Sequence, residues 1–214
     1  MSNLPSLLCP VLYLANGEPY YPCSLENIDD TVIINSLIAN PPMYYFHDLM
    51  ERYITYIVFY QQDGGIHNIG GHKYDIEFTR VFYDSNNKPI KYYLSEHGRD
   101  QGMYLDADRV RHDENGRPIF FIAIRTHAHY PASGTWVRGF CFANDQTSGH
   151  QKWDPVNNLV EISDPNTIGN RFGAGHMQWY AAPCDIIGAP SEPLNFIYRF
   201  FYPVSRWIRF KKFS

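Results

Sequence analysis

Two carboxylates stand two positions apart in an otherwise apolar stretch of the sequence. The run GGHKYDIEF covers residues 70–78 and carries His72, Asp75 and Glu77. Alternation along a β-strand places Asp75 and Glu77 on one face and their apolar neighbours on the other. Two carboxylates at that separation repel each other in a partly dry site, so they need a cation, a shared proton or several hydrogen-bond donors.

The acid pair has two interpretations, and the sequence leaves both open. A hard cation such as Ca²⁺ or Mg²⁺ takes oxygen ligands and accepts an occasional histidine, so His72, Asp75 and Glu77 are candidate metal ligands. Alternatively, Arg80, Arg125 or backbone N–H groups pair with the acids and hold the neighbouring loops in place.

Two further histidines follow predicted strands. His97 comes after the run 89–94, and His127 comes after the run 117–126. If 117–126 and 89–94 flank the strand 74–84 in antiparallel pairs, both histidines reach the end that holds the acid pair. A histidine in such a loop more often ties loops together than serves as a ligand or a base.

Hydrolase chemistry at this end would need an activated nucleophile. The candidates are Ser95, Thr126 and Cys141, with His97 or His127 as the base. No GxSxG elbow accompanies them, and glycosidase carboxylates stand about 5 Å or more apart across an open sugar cleft. We therefore expect no catalytic residue.

The elements that must position these residues are strands. Aromatic residues make up 16% of the 214 residues, and they favour pleated, half-buried surfaces. A short helix is predicted over 27–39. The pattern as a whole predicts a mostly β, single-domain β-sandwich with long loops. The predicted strands are 11–14, 53–61, 74–84, 89–94, 117–126 and 134–143.

Composition narrows the class of protein further. The net charge of −4 argues against a nucleic-acid partner. The cysteines Cys9, Cys23, Cys141 and Cys184 form no CxxC pair, which predicts reduced thiols and a cytoplasmic, reducing location. The chain has no run of about 18 apolar residues, so no transmembrane span is predicted, and its start lacks a signal-peptide pattern.

The last twenty residues have a different pattern. Apolar residues in 196–208 recur at i, i+3, i+4 and i+7, which predicts a short amphipathic helical tail interrupted at Pro203. We expect this basic and aromatic tail either to cover an apolar face of the sandwich or to bind a partner or a membrane. Its candidate contact residues are Arg199, Phe200, Arg206, Trp207, Arg209, Lys211 and Lys212.

Several motifs occur in the order found in the Vps62 family, which is named after a vacuolar sorting protein. The runs CPVLYLANGEPYYPCSLENI, HNIGGHKYDIEF, LSEHG, RPIFFIAIRTHAHYPASG and DQTSGHQKWDP each resemble a motif of that family. On this resemblance the chain is identified as a member. It implies an N-terminal arm at 1–8, a Vps62-like β-sandwich at 9–180 and a tail at 181–214.

The chain departs from the family pattern beside the acid pair. Tyr74 stands where the family has glycine, Ile76 where it has tryptophan and Phe78 where it has histidine. The same short run is also similar to the GHRHDWE heptad of NPP1-type necrosis-inducing proteins. That likeness implies a β-sandwich with a divalent cation at the motif.

Together these observations predict a non-catalytic structural or binding module. Its expected partner is a protein assembly, including a virus particle, or a membrane surface. The alternative is a divalent-cation-dependent membrane-active factor or hydrolase that uses His72, Asp75 and Glu77. Ca²⁺ or Mg²⁺ is the only cofactor expected.

Overall fold

The structure of the protein is a computed structural model. The described residues are 3–30, 32–37, 40–64, 72–96 (for His72 the backbone alone), 102–136 and 144–163. The mostly β prediction is confirmed. The predicted tail, His97, Cys141 and Cys184 lie outside these ranges.

The described residues form one short α-helix, one 3₁₀ turn and thirteen strands. In chain order they are α1 (Leu4–Leu8), β1 (Val11–Leu14), β2 (Pro22–Cys23), β3 (Met43–Asp48), β4 (Tyr53–Asp63), β5 (His72–Tyr83), β6 (Pro89–Leu94), β7 (Met103–Asp106), a 3₁₀ turn (Ala107–Arg109), β8 (Ile119–Ile122), β9 (His129–Tyr130), β10 (Gly134–Trp136), β11 (Asp145–Thr147), β12 (Gln151–Trp153) and β13 (Leu159–Glu161). Among the described residues, no helix has the length and apolarity that a membrane crossing requires.

The larger sheet is built around two long antiparallel strands, β4 and β5. Its strand order is β13-β3-β4-β5-β6-β7, and the short β2 also pairs with β4. The register of β4 and β5 runs from Tyr53 opposite Phe82 to Asp63 opposite His72. Their β-branched and aromatic residues fit a pleated surface, which explains why the sequence forms strands here.

A smaller sheet, in the order β12-β1-β8-β9, packs on one face of the larger sheet. Side chains of the larger sheet that point toward it include Tyr56 and Val58, and both are fully buried. Each such side chain stabilises the fold by about 2 kcal/mol relative to its exposed state. The side chains that the smaller sheet contributes to this core are Leu12, Leu14, Phe120, Ile122 and Trp153.

The helix predicted over 27–39 is not found. The described residues there form turns, and the Gln61 side chain explains this arrangement. Its amide nitrogen donates to the carbonyl oxygens of Asn27, Asp30 and Val32 at 3.0, 3.2 and 3.1 Å. Those bonds from a distant strand satisfy backbone acceptors that a helix would have used locally.

The predicted strand 117–126 is shorter and lies in a different place. It is reduced to β8, which pairs in parallel with β1 of the smaller sheet and not with β5. Its side chains at Phe120 and Ile122 fill the core between the two sheets. The apolar run therefore predicted a buried strand correctly but carried no information on its neighbours.

A buried arginine links two turns that flank the smaller sheet. Arg117 donates from Nη2 to Asp113 at 2.8 Å and to Asp154 at 2.6 Å. The Asp113 and Arg117 side chains are 5% and 7% exposed, so the pair lies largely out of water. The hydrogen bonds from Arg117 lower the pKa of both carboxyl groups.

We predict that Arg117→Leu lowers the free energy of unfolding by about 3 kcal/mol, because it leaves a buried carboxylate without its cation. Urea unfolding at pH 7 measures this loss, and Arg111→Leu at an exposed position is the control. Because both carboxyl pKa values are lowered, the contribution is present above about pH 4 and fades as the pH falls. Equal stability of the two variants would contradict the role of Arg117.

Candidate functional site

The acid pair points into the space between the two sheets. Asp75 lies opposite Tyr60 in the register of β4 and β5, and Glu77 lies opposite Val58. Their side chains share the face of the larger sheet that packs on the smaller sheet, and the residues are 9% and 5% exposed. The two carboxyl groups are therefore interior groups at one end of the sandwich.

His127 is the counter-ion of this end. It lies in the turn between β8 and β9 and is completely buried. Its Nδ1 lies 2.7 Å from Asp75 Oδ2, a hydrogen bond, and its Nε2 lies 3.4 Å from Glu18 Oε1, an ion-pair distance. The Tyr60 ring stacks on the imidazole with 3.7 Å between centroids and 5° between planes. This packing fixes the ring between the two carboxylates.

The charge of His127 follows from these neighbours. Burial disfavours the imidazolium, but the Glu18 charge and the hydrogen bond that the ring donates to Asp75 outweigh it and raise the pKa of His127 to about 10. The imidazole therefore carries a proton on both nitrogens at neutral pH. A histidine in that state donates from Nδ1 to Asp75, pairs with Glu18 through its charge and cannot accept a further proton.

Ionisation of Glu77 is disfavoured by its surroundings. Burial, followed by the nearby Asp75 charge, raises the pKa of Glu77 well above its usual value. The Ser95 hydroxyl donates to Glu77 and accepts the Phe78 backbone N–H at 2.7 Å. The repulsion of the acid pair is thus relieved by an imidazolium beside Asp75 and by a raised pKa of Glu77, which favours its neutral form. We call Glu18, Asp75, Glu77, Ser95 and His127 the rim network.

The second histidine of the turn is uncharged. Burial, assisted by the nearby His127 charge, lowers the pKa of His129 to about 3. Its Nδ1 lies 2.9 Å from Thr79 Oγ1, and its backbone N–H donates to the Ser95 carbonyl at 3.0 Å. His129 and Thr79 are each 1% exposed. This hydroxyl–imidazole pair therefore ties the β8–β9 turn to β5 in the interior.

The backbone beside the network is strained. Tyr74, Arg125 and His127 have φ values of 63°, 66° and 51°, which side chains other than glycine rarely adopt. Each costs about 1–2 kcal/mol. The Arg125 N–H donates to Glu18 at 2.7 Å, and the Thr126 hydroxyl donates to Asp145 at 2.9 Å. These carboxylates hold the turn in the conformation that aims His127 at Asp75.

The predicted site residues are distributed unevenly. Asp75 and His127 are in direct contact, the backbone of His72 begins β5, and His97 lies outside the described residues. Arg80, which was predicted as a partner of the acids, lies on the opposite face of β5 and donates to Thr55 at 2.9 Å. The predicted partner Arg125 contributes its backbone N–H to Glu18.

Two of the three candidate nucleophiles form hydrogen bonds with buried carboxyl groups. Ser95 donates to Glu77 and Thr126 donates to Asp145, while Cys141 lies outside the described residues. Glu18 was missed by sequence reasoning, and Asp145 was expected in a solvated turn but is 2% exposed. Their only local signal is a position in a turn-rich stretch, and their partners lie 107 and 19 positions away.

Comparisons with known proteins give a fold-level likeness only. No family model matches the chain, and no curated protein matches it. Solved structures that match include necrosis and ethylene inducing protein 2 from the causal agent of cocoa's witches' broom disease. That likeness has 16% identity, a TM-score of 0.47, and coverage of 81% of this chain and 76% of the other. A structure of NLPPya in complex with glucosamine has 12% identity, a TM-score of 0.48, and coverage of 92% and 87%.

The predicted membership of the Vps62 family is wrong. No family model supports it, and the solved structures that match include necrosis and ethylene inducing protein 2 and a toxin fold for microbial attack and plant defense. The virus-particle expectation came with that resemblance and is withdrawn with it. The resemblance rested on short motifs of glycine, histidine and acidic residues. Motifs of this length occur in more than one family.

Proposed function

We propose that this protein is a non-catalytic binding module that engages a membrane surface with the end of the sandwich holding the rim network. The observation that carries the proposal is that the polar side chains of the network form hydrogen bonds and ion pairs with one another. His127, whose pKa is raised to about 10, lies between Glu18 and Asp75, and Glu77, whose pKa is also raised, accepts a hydrogen bond from Ser95. Groups in these states position backbone and do not transfer protons at neutral pH.

The surface next to this end carries exposed aliphatic side chains. Val32 and Ile33 are 76% and 39% exposed. Their segment is held rigidly, because Gln61 donates to the Val32 carbonyl and accepts the Ile34 N–H at 2.7 Å. A fixed turn that presents aliphatic side chains is suited to the membrane interface, where their burial is favourable. A protein assembly is the other partner that such a surface could bind.

We predict that Val32→Asp combined with Ile33→Asp reduces association with vesicles of mixed phosphatidylcholine and phosphatidylserine by about tenfold. Each change puts a charge where an aliphatic side chain would enter the membrane interface. Vesicle co-sedimentation of the full chain measures this. Leu49→Asp with Met50→Asp is the matched control, since these residues are 73% and 92% exposed at the other end of the larger sheet.

The control separates the possible outcomes of this experiment. Loss of binding only in the Leu49 and Met50 variant would place the membrane contact at the opposite end and contradict the proposal. If the parent protein does not sediment with these vesicles, the membrane is excluded as the partner and a protein assembly is left.

The rim network itself should be measurable through stability. We predict that Asp75→Asn lowers the free energy of unfolding at pH 7 by about 3 kcal/mol, because the buried imidazolium loses one of its two counter-charges. Asp108→Asn, at an exposed position, is the control and should change little. Urea unfolding of both variants measures the difference.

The pH dependence gives a second readout of the same network. The pKa of His127 is raised to about 10 in the folded protein, so its contribution is complete below about pH 6.5 and is lost as the pH rises toward 10. Glu77, whose pKa is also raised, acts in the same direction. The parent should therefore lose stability between pH 7 and 10, and Asp75→Asn should lose less. A parent whose stability rises over this range would refute the assignment.

A divalent cation at the acid pair is the second candidate function. The observation that favours it is an excess of buried acids, because Glu18, Asp63, Asp75 and Glu77 are all at most 9% exposed. The Tyr60 hydroxyl is buried without a hydrogen-bond partner. Oxygen donors of this kind suit Ca²⁺ or Mg²⁺, which would supply positive charge at the rim.

The fit of such a cation depends on donors beyond the described side chains. The described residues contain no group of three or more histidine, cysteine or acidic side chains placed to hold a metal ion. Asp75 and Glu77 would supply carboxylate oxygens, and solvent would complete the site, while the predicted ligand His72 is described by its backbone alone. Binding would also require Glu77 to lose its proton.

We predict, on this second candidate, that Mg²⁺ or Ca²⁺ raises the melting temperature and that EDTA reverses the change. At a hundredfold excess over Kd the stabilisation is about 2.7 kcal/mol. The effect should grow from pH 6 to pH 8, because the raised pKa of Glu77 opposes cation binding at lower pH. Asp75→Asn should abolish it, and Asp108→Asn should not. A melting temperature that changes with neither the metal nor EDTA would exclude the cation and leave the binding-module proposal unaffected.

A further inference from the structure

Two Asn–Gly pairs lie in exposed turns, and one of them adjoins the rim network. Asn16–Gly17 connects β1 to the buried Glu18, and Asn115–Gly116 lies in the turn before β8. Both glycines have a φ of 77°. An Asn–Gly pair is prone to deamidation, because glycine has no Cβ to keep its backbone nitrogen away from the asparagine side chain.

Deamidation is an intramolecular acyl transfer followed by hydrolysis. The deprotonated backbone nitrogen of the glycine attacks the side-chain carbonyl carbon of the asparagine, a C–N bond forms, and the side-chain nitrogen leaves as ammonia. Water then opens the cyclic imide at either of its carbonyl carbons, which yields aspartate or isoaspartate. Isoaspartate carries the main chain through its side chain, so it lengthens the backbone by one atom and adds a carboxylate.

The two pairs differ in what holds the attacking nitrogen. Among the described residues, the Gly17 N–H makes no hydrogen bond. The bond that closes its turn, from the Glu18 N–H to the Ala15 carbonyl, is long at 3.4 Å. The Gly116 N–H instead donates to the Asp113 carbonyl at 3.0 Å. The attack therefore meets less resistance at Gly17.

The turn around Asn115 is also closed more tightly. The Asp113 N–H donates to the Arg117 carbonyl at 2.9 Å, and the Asp113 carboxylate accepts the N–H groups of Asn115 and Arg117 at 2.9 and 2.8 Å. The Arg117 side chain is itself paired with Asp113 and Asp154. Reaction of a backbone amide in such a turn requires local opening, which these bonds oppose. The chain thus contains its own matched control for Asn16.

Asn16 lies two positions before a counter-ion of His127. The Glu18 carboxylate accepts the Arg125 N–H at 2.7 Å and lies 3.4 Å from His127 Nε2. On the other side, the Asn16 N–H donates to the Ser148 hydroxyl at 2.6 Å. An extra backbone atom between these two fixed points must displace Glu18 from the network.

We propose that Asn16–Gly17 is a modification site at which spontaneous deamidation to isoaspartate loosens the rim network. The inserted backbone atom shifts Glu18, so that His127 loses one of its two counter-charges and keeps Asp75. The inference is independent of the membrane proposal, because it concerns the covalent structure of this turn and the stability of the network.

The first experiment measures reactivity by incubating the full chain at pH 8. Peptide mapping by mass spectrometry follows the conversion of amide to acid at both pairs, and methyl transfer by an isoaspartyl methyltransferase reports isoaspartate. We expect conversion at Asn16 to be about tenfold faster than at Asn115, since the second turn must open first. Asn16→Ser should remove the faster signal, and unfolding in urea should bring the two rates together.

The second experiment measures the consequence by urea unfolding of the incubated protein after its return to pH 7. The fraction with isoaspartate at position 16 should unfold at a lower urea concentration than the fresh parent. Fresh Asn16→Asp adds the charge without the backbone atom and should keep the midpoint of the parent. Incubated Asn16→Ser should keep its own midpoint.

Each other result overturns one step of the inference. Conversion in the folded chain that is equal at the two pairs, or faster at Asn115, overturns the assignment of the reactive site. A midpoint that isoaspartate at position 16 leaves unchanged, or that Asn16→Asp lowers equally, overturns the effect on the network. Neither result bears on vesicle association, which has its own variants at Val32 and Ile33.

Discussion

The arrangement of this protein depends on one buried imidazolium held between two carboxylates. His127 is fully enclosed, and its partners Asp75 and Glu18 belong to β5 and to the turn after β1. An unpaired charge in such a place costs several kcal/mol, so the three segments cannot separate one at a time. The pairing joins the two sheets at the end where their apolar core stops, and it holds the strained turn at Arg125 and His127 in position.

The same strand, β5, serves two opposite environments through simple alternation. Its odd-numbered residues Asp75 and Glu77 point toward the smaller sheet, and its even-numbered residues Phe78 and Arg80 point to the other face. Acids and a base are therefore buried on opposite sides of one strand, too far around the backbone to neutralise each other. Each face must find its own counter-charges, which explains why the acids recruit His127 and not Arg80.

The sequence was informative where a pattern is local. The strands at 53–61, 74–84 and 89–94 were predicted because β-branched and aromatic residues lie between turn signals. The helix at 27–39 failed because the Gln61 side chain, far along the chain, takes its backbone acceptors. Glu18 carried no recognisable signal, since its contact with Arg125 spans 107 positions. A single sequence shows spacing along the chain but not which segments meet in space.

Protons reduce the repulsion between the two carboxyl groups of the run GGHKYDIEF. An imidazolium faces the Asp75 carboxylate, while burial and the charge of Asp75 raise the pKa of Glu77 and make its ionisation costly. With a proton on both ring nitrogens His127 cannot serve as a base, and the raised pKa of Glu77 makes that group a poor donor of its proton. This arrangement also sets the condition for a metal, since a cation must displace the proton of Glu77 and compete with His127 for Asp75. Affinity for a cation at this rim is therefore a measure of how far the network can open.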